Sequence, residues 1–142
     1  MPFQEPLSKT YTADTVNSAY TLGNLLKSSG TTTYAFDTNG NLATKTQGSN
    51  TTTYTFDSQG RLTNVSPPSG TYQYQYDGLW NRVSKTVNGT TTKFLLDPNG
   101  FLPNVIAEMD NSGNITSYYV YDPMGLVAKI TSGPHTAIIL MG

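Results

Sequence analysis

The chain contains no cysteine, which excludes a disulfide framework and any thiolate metal site. The compartment stays open on that ground, since a cell interior and an exterior are both compatible with it. Charge is scarce too: 12% of the 142 residues are charged and the formal net charge is -1. The Lys and Arg residues are scattered, with no stripe to neutralise a run of phosphates, so nucleic acid is not expected as a partner. No apolar run approaches the roughly eighteen residues that a membrane-spanning helix needs. Residues 1–10, with Pro2, Glu5 and Pro6, lack the apolar core of a secretory signal. An exported form would therefore take its address from a longer parent chain or from a dedicated secretion machine.

Chemistry-bearing motifs are equally sparse. His135 is the single histidine, and no serine and aspartate are nominated to complete a triad with it. Paired carboxylates for hydrolysis, a phosphate-binding loop and a zinc site all lack a motif. The expectation is a chain that catalyses nothing, holds no metal and needs no cofactor. Four glycosylation sequons, at Asn50, Asn64, Asn88 and Asn114, are the chance product of a Thr-rich turn composition.

What fills the chain is Thr, Ser, Asn, Gln and Gly, together with aromatics at a fixed interval. Tyr34-Ala35-Phe36-Asp37, Tyr54-Thr55-Phe56-Asp57, Tyr74-Gln75-Tyr76-Asp77 and the weaker Phe94-Leu95-Leu96-Asp97 recur every 20 residues. A further copy, Tyr119-Val120-Tyr121-Asp122, follows after 25 residues. Such a register, interrupted once, is one supersecondary unit copied in tandem.

In each unit the alternation of Thr with larger residues predicts a strand, with both aromatics of a pair on one face. Asp57-Ser58-Gln59-Gly60 then reads as a tight turn, Asp capping backbone N–H groups at its first position and Gly taking positive φ. Gly40 and Gly60 have this role, Gly100 and Gly125 follow Asp97-Pro98 and Asp122-Pro123, and a short second strand with a recurrent Leu comes next. Asn88-Gly89 is a two-residue hairpin signal at the opposite end, where Gly48, Gly70 and Gly113 mark comparable turns. The fold class is all-β: strand-turn-strand hairpins forming a twisted antiparallel ribbon, or part of a β-solenoid or shell.

Residues 1–19 read as a lead-in, 20–131 as an array of about five to six units with an insertion near 103–113, and 132–142 as a tail or final strand. Tyr20 to Lys27 is a degenerate first unit, with Gly23-Asn24-Leu25 matched to Gly40-Asn41-Leu42. Trp80 stands where sister units have Gly40 and Gly60; either Gly78 takes the positive φ in a different turn, or Trp80 bears the strain.

Two binding readings arise from the residues. The Asp residues, 37, 57, 77, 97 and 122, suggest calcium, but they sit a repeat apart and turn capping accounts for them. Trp80, Tyr72, Tyr74 and Tyr76 suggest a stacking surface for carbohydrate, set against the ordinary use of aromatics as the packed face of a sheet.

The units Tyr54 to Leu62 and Tyr74 to Val83, with Gly89 to Asp97, resemble the YD repeats of the RHS family, and the likeness runs over about residues 20–130. The resemblance implies a strand-turn-strand spiral that in long members builds a hollow shell around a C-terminal toxin, in bacterial polymorphic toxins, with related shells in insecticidal toxin complexes and teneurins. It implies a non-catalytic wall segment of a bacterial, secreted or cell-surface system that encloses or presents a toxin or other cargo. Further RHS repeats, or self-association through strand edges, would complete the wall. The alternative is a carbohydrate-binding or cell-surface interaction module. The family's self-cleaving core is not recognisable around Asp122 to Leu126.

Overall fold

The computed structural model describes residues 10–11, 14–15, 17–99, 103–133 and 137–140, with side chains described in 17–99 and 103–133. Gly100, Phe101 and His135 lie outside these residues. Two compact units divide the chain, residues 1–70 and 71–142.

The first unit opens with a small hairpin, β1 (Thr10–Tyr11) and β2 (Asp14–Thr15). A meander follows through β3 (Ser18–Tyr20), β4 (Leu26–Ser29), β5 (Thr32–Phe36), β6 (Leu42–Gln47), β7 (Asn50–Phe56) and β8 (Leu62–Ser66), each strand antiparallel to the next. The second unit meanders through β9 (Tyr72–Tyr76), β10 (Arg82–Val87), β11 (Thr90–Asp97), β12 (Asn104–Met109), β13 (Ile115–Asp122), β14 (Gly125–Thr131) and β15 (Ala137–Leu140). Among the described residues there is no helix. Thr, Tyr, Val and Phe fit the pleated surface, and the alternation in β5, β7 and β9 places every second residue on one face.

Each Asp turn adds something that alternation does not predict. Phe56 pairs with Leu62 but Thr55 pairs with Asn64, so Thr63 is an extra residue, a β-bulge, on β8. Ala43, Val83, Ile106 and Val127 are bulged in the same place on their strands, as is Lys27 in the first repeat. A bulge sharpens the local twist and changes which side of the sheet the following residues occupy. It explains why Leu42 and Lys45, three residues apart, both join the aromatic face, opposite Phe36 and Tyr34 respectively. The pattern recurs: Leu26, Leu62 and Leu126 face Tyr20, Phe56 and Tyr121, while Lys85 and Lys129 face Tyr74 and Tyr119.

Burial is thin. Ala107, Ala128, Ser84 and Ser117 are buried, and no large side chain among the described residues is fully buried. The repeat aromatics are half-buried on their own sheet. On the reverse face of the first unit, Thr33, Ala35, Thr53 and Thr55 are exposed. The reverse face of the second unit is more apolar, with Leu95, Tyr118 and Val120 exposed around Ala107 and Ala128.

Two expectations are corrected, at Gly23 and at Asp122, and an open alternative is decided at Trp80. The first repeat is in register one residue later than Gly23 suggests: Asn24 closes the turn on Thr21 at 2.9 Å and holds φ 60, so Asn24 is the counterpart of Gly40. Gly78 is not the residue with positive φ; Trp80 is, at φ 72, within a turn of the usual kind. The turn at Asp122 does not share the grammar of Asp57, because Asp122 pairs directly with Gly125 across the two-residue loop Pro123-Met124. The extra residues of the insertion are divided between the loop from Asp97 to Asn104 and the turn from Asp110 to Asn114, which leaves the pairing of β11, β12 and β13 intact. Asn88-Gly89 forms the expected two-residue hairpin, with φ 48 and 86 and Val87 opposite Thr90.

Nothing lies within 4 Å of a Cβ built on Gly60, whose φ is 78, so Gly60→Ala isolates the backbone cost and should destabilise the chain by about 1 kcal/mol in urea unfolding. Trp80→Gly should do the reverse by less than about 1 kcal/mol, since added freedom in the unfolded chain offsets part of the relief. A loss of stability on Trp80→Gly would show that the indole's contacts outweigh the strain.

Candidate functional site

The repeated site is the Asp turn. Oδ1 of Asp37 accepts the backbone N–H groups of Asn39 and Asn41, both at 2.9 Å, and Oδ2 accepts the Asn41 side-chain amide at 3.0 Å. The Gly40 N–H returns to the Asp37 carbonyl at 3.1 Å, and the Asp37 N–H donates to the Asn41 carbonyl at 2.9 Å. This is a three-residue hairpin loop whose last residue takes the left-handed conformation. Asp57 repeats it with Gln59 and Arg61, the Arg61 Nε donating to Oδ2 at 2.7 Å. Asp77 does so with Leu79 and Asn81.

The Asn or Arg four residues after the Asp is therefore half of the device. Its signal in the sequence was the polar residue immediately after each turn's last position: Asn41, Arg61, Asn81 and Asn114. Asp110 uses Asn114 in the same way, at 2.9 Å from both backbone and side chain, although this turn lies at the end of the strands where Asn88-Gly89 is found. In the first repeat Thr21 replaces Asp, its Oγ1 accepting the Leu25 N–H at 3.1 Å. Asp97 bonds to Asn99, and Asp122 to Met124 and Gly125.

These bonds favour the charged carboxylate. Asp37 and Asp110 are held below the ordinary carboxyl value of 3.8 first by the side-chain amides of Asn41 and Asn114, and Asp57 first by the Arg61 backbone N–H. The carboxylate oxygens placed at the calcium-like positions are thus already occupied by N–H donors. Among the described residues, no three His, Asp or Glu side chains gather around a common point.

The aromatic face carries the remaining polar chemistry. The Tyr119 hydroxyl donates to Glu108 Oε1 at 2.8 Å, Lys129 Nζ lies 3.1 Å from Glu108 Oε2, and the same ammonium stands 5.1 Å above the Tyr119 ring. Tyr119 first and then Glu108 raise the Lys129 pKa, and burial raises that of Tyr121, whose hydroxyl donates to the Val105 carbonyl at 2.8 Å. These are cross-strand ties between β12, β13 and β14.

Of the residues expected to contact carbohydrate, Tyr72, Tyr74 and Tyr76 stand half-buried along β9, and Trp80 is 58% exposed at its turn. Tyr76 lines a cleft of about 290 Å3 with Asn81, Arg82, Phe94, Leu96, Pro103 and Val105. Tyr72 and Trp80 are not among its lining residues, and Tyr74 approaches it through the Arg82 guanidinium. Arg82 and Phe94 were missed as members of such a site. Arg82 sits where other repeats have Leu, a departure visible once the repeats are aligned.

Hairpin units in tandem, most of them closed by an aspartate turn and each with its aromatics on one face of its own sheet, define a tandem-repeat β protein. The chain matches the Teneurin YD-shell family over residues 8–138, and it belongs to that family. Membership supports a shell-type structural role. No curated protein matches the chain.

Because the aspartates titrate at lower values in the folded chain than in the unfolded one, their contribution is complete above 3.8 and is lost as pH falls through the folded values. The thermal midpoint followed by circular dichroism should stay flat down to roughly pH 5 and fall below pH 4; an unchanged midpoint at pH 3 would refute the stabilising role of the turns. Asn114→Ala should raise the Asp110 pKa toward 3.8, read from the carboxyl carbon shift in an NMR titration, while the Asp37 titration stays in place.

Proposed function

We propose that the chain is a non-catalytic segment of a shell wall, which in a secreted or cell-surface system encloses or presents a toxin or other cargo. The observation that carries this reading is the family match over residues 8–138, joined to sheet units in which no large side chain among the described residues is fully buried. A globular enzyme closes a second layer over its sheet and sets a pocket in it. Here the aromatic face is only half-covered by its own side chains, which suits a surface that meets more wall or a content. Residues 20–131 are the repeat array in this reading, and the wall's mechanism is mechanical, a continuous run of paired strands separating two spaces.

Further repeats are the expected partners, because among the described residues β3 and β15 each have a strand neighbour on one side only. Open edges of this kind recruit further strands. Sedimentation velocity should therefore show concentration-dependent association, and Ser18→Pro in β3, which removes an N–H that the ladder turns away from β4 (the bonded pairs are Asn17 with Gly30 and Ala19 with Ser28), should weaken it. A compact monomer at every concentration, with no difference between the two proteins, would count against the wall-segment reading.

A further inference from the structure

The repeat that begins at Tyr74 departs from its neighbours in several places that converge on one cleft. Phe36 and Phe56 face Leu42 and Leu62 across their turns, whereas Tyr76 faces Arg82. The lengthened segment after Asp97 leads to Pro103 and Val105, which wall the same cleft. The Arg82 guanidinium carbon lies 5.5 Å from the centroid of the Tyr74 ring and 5.5 Å from that of Phe94. Arg61 is held by Asp57, with Nε at 2.7 Å. Arg82 is exposed, and among the described residues no acceptor holds its N–H groups.

We propose that this cleft binds a carboxylated sugar residue, a uronate or a sialate, with Arg82 as the carboxylate receptor. Two rings bracket the guanidinium and leave its planar fork free, and that fork matches a carboxylate through two parallel hydrogen bonds. Arg82 is the single cationic residue among those that line the cleft, which suits a monoanion better than a phosphate dianion. The rest of the wall is ring and hydrocarbon, from Tyr76, Phe94, Leu96 and Pro103, which is what the apolar face of a pyranose packs against. Asn81 spends its side-chain N–H on Asp77 Oδ2 at 2.9 Å, leaving its carbonyl oxygen turned to use as an acceptor for a sugar hydroxyl. At about 290 Å3 the cleft is at the small end of ligand sites and takes one ring rather than a chain of them. Peptide recognition by strand addition is disfavoured, because β10 and β11 beside the cleft are paired on both sides.

The test is a 1H–15N NMR titration of the whole chain with methyl glucuronide and with N-acetylneuraminic acid, against methyl glucoside, acetate, inorganic phosphate and an acidic tripeptide. At least one sugar acid should give a saturable shift of the Arg82 Nε–H with a Kd on the order of 1 mM, and the other ligands should be at least tenfold weaker. Arg82→Leu, which restores the residue found at positions 42 and 62 and so keeps the hairpin, should weaken sugar-acid binding at least tenfold with the spectrum otherwise folded. Equal binding of glucoside, acetate, phosphate or the tripeptide would overturn the proposal. So would full binding by the Leu variant, or the lack of any saturable shift at tenfold above the expected Kd. None of those outcomes bears on the wall reading, which rests on strand pairing.

Discussion

One aspartate carboxylate, accepting two backbone N–H groups and one side-chain donor from the residue four places on, sets the conditions for everything else. It fixes the reversal of the chain locally, within five residues, before any partner strand from another repeat is needed. Local closure keeps the entropic cost of each hairpin small, and antiparallel pairing then extends from a turn whose geometry is already decided. The carboxylate also selects the residue at the end of the loop, because the return bond to its own carbonyl requires a left-handed backbone there. Glycine meets that demand freely, asparagine meets it in the first repeat, and tryptophan meets it under strain.

The bulge beside each turn gives the sheet two unlike faces. Without Thr63 or Ala43, alternation would carry Val65 and Lys45 to the reverse side; with them, leucine and lysine stand beside the aromatic pair. The aromatic face thus becomes a mosaic of rings, aliphatic side chains and cations, tied in the second unit by Glu108, Tyr119 and Lys129. The reverse face is Thr-rich in the first unit and apolar around Ala107 and Ala128 in the second. Among the described residues neither unit fully buries a large side chain, and cross-strand pairs supply the cohesion that a packed interior supplies elsewhere.

Much of this was legible in the residues. The 20-residue register, the Asp-to-Gly turn and the Asn88-Gly89 hairpin each rest on backbone chemistry that few residue types satisfy, so they leave a strong imprint. The bulges leave none: Lys27, Ala43, Thr63, Val83, Ile106 and Val127 have no chemical property in common, since what a bulge requires is an extra position rather than a kind of side chain. Gly23 misled because a glycine next to the demanding position imitates one that fills it, and Asn24 is the cheaper left-handed residue than sequence preference alone suggested. Trp80 is legible as a conflict with its turn position, whereas the balance between an indole's contacts and backbone strain is settled in three dimensions. Arg82 was passed over for a related reason: its meaning depends on two rings that come from different strands.

The division of the insertion between two loops has a consequence for how such a chain changes in length. Because each hairpin is closed by its own turn and its own bulge, duplication or deletion of a complete repeat leaves every remaining side chain on its original side. Extra residues that fall in a loop are absorbed there, as those between Asp97 and Asn104 are, whereas a single residue added inside a strand and not at the bulge would turn the strand over. The geometry of such a chain accommodates the gain or loss of a whole hairpin without turning over any strand that remains.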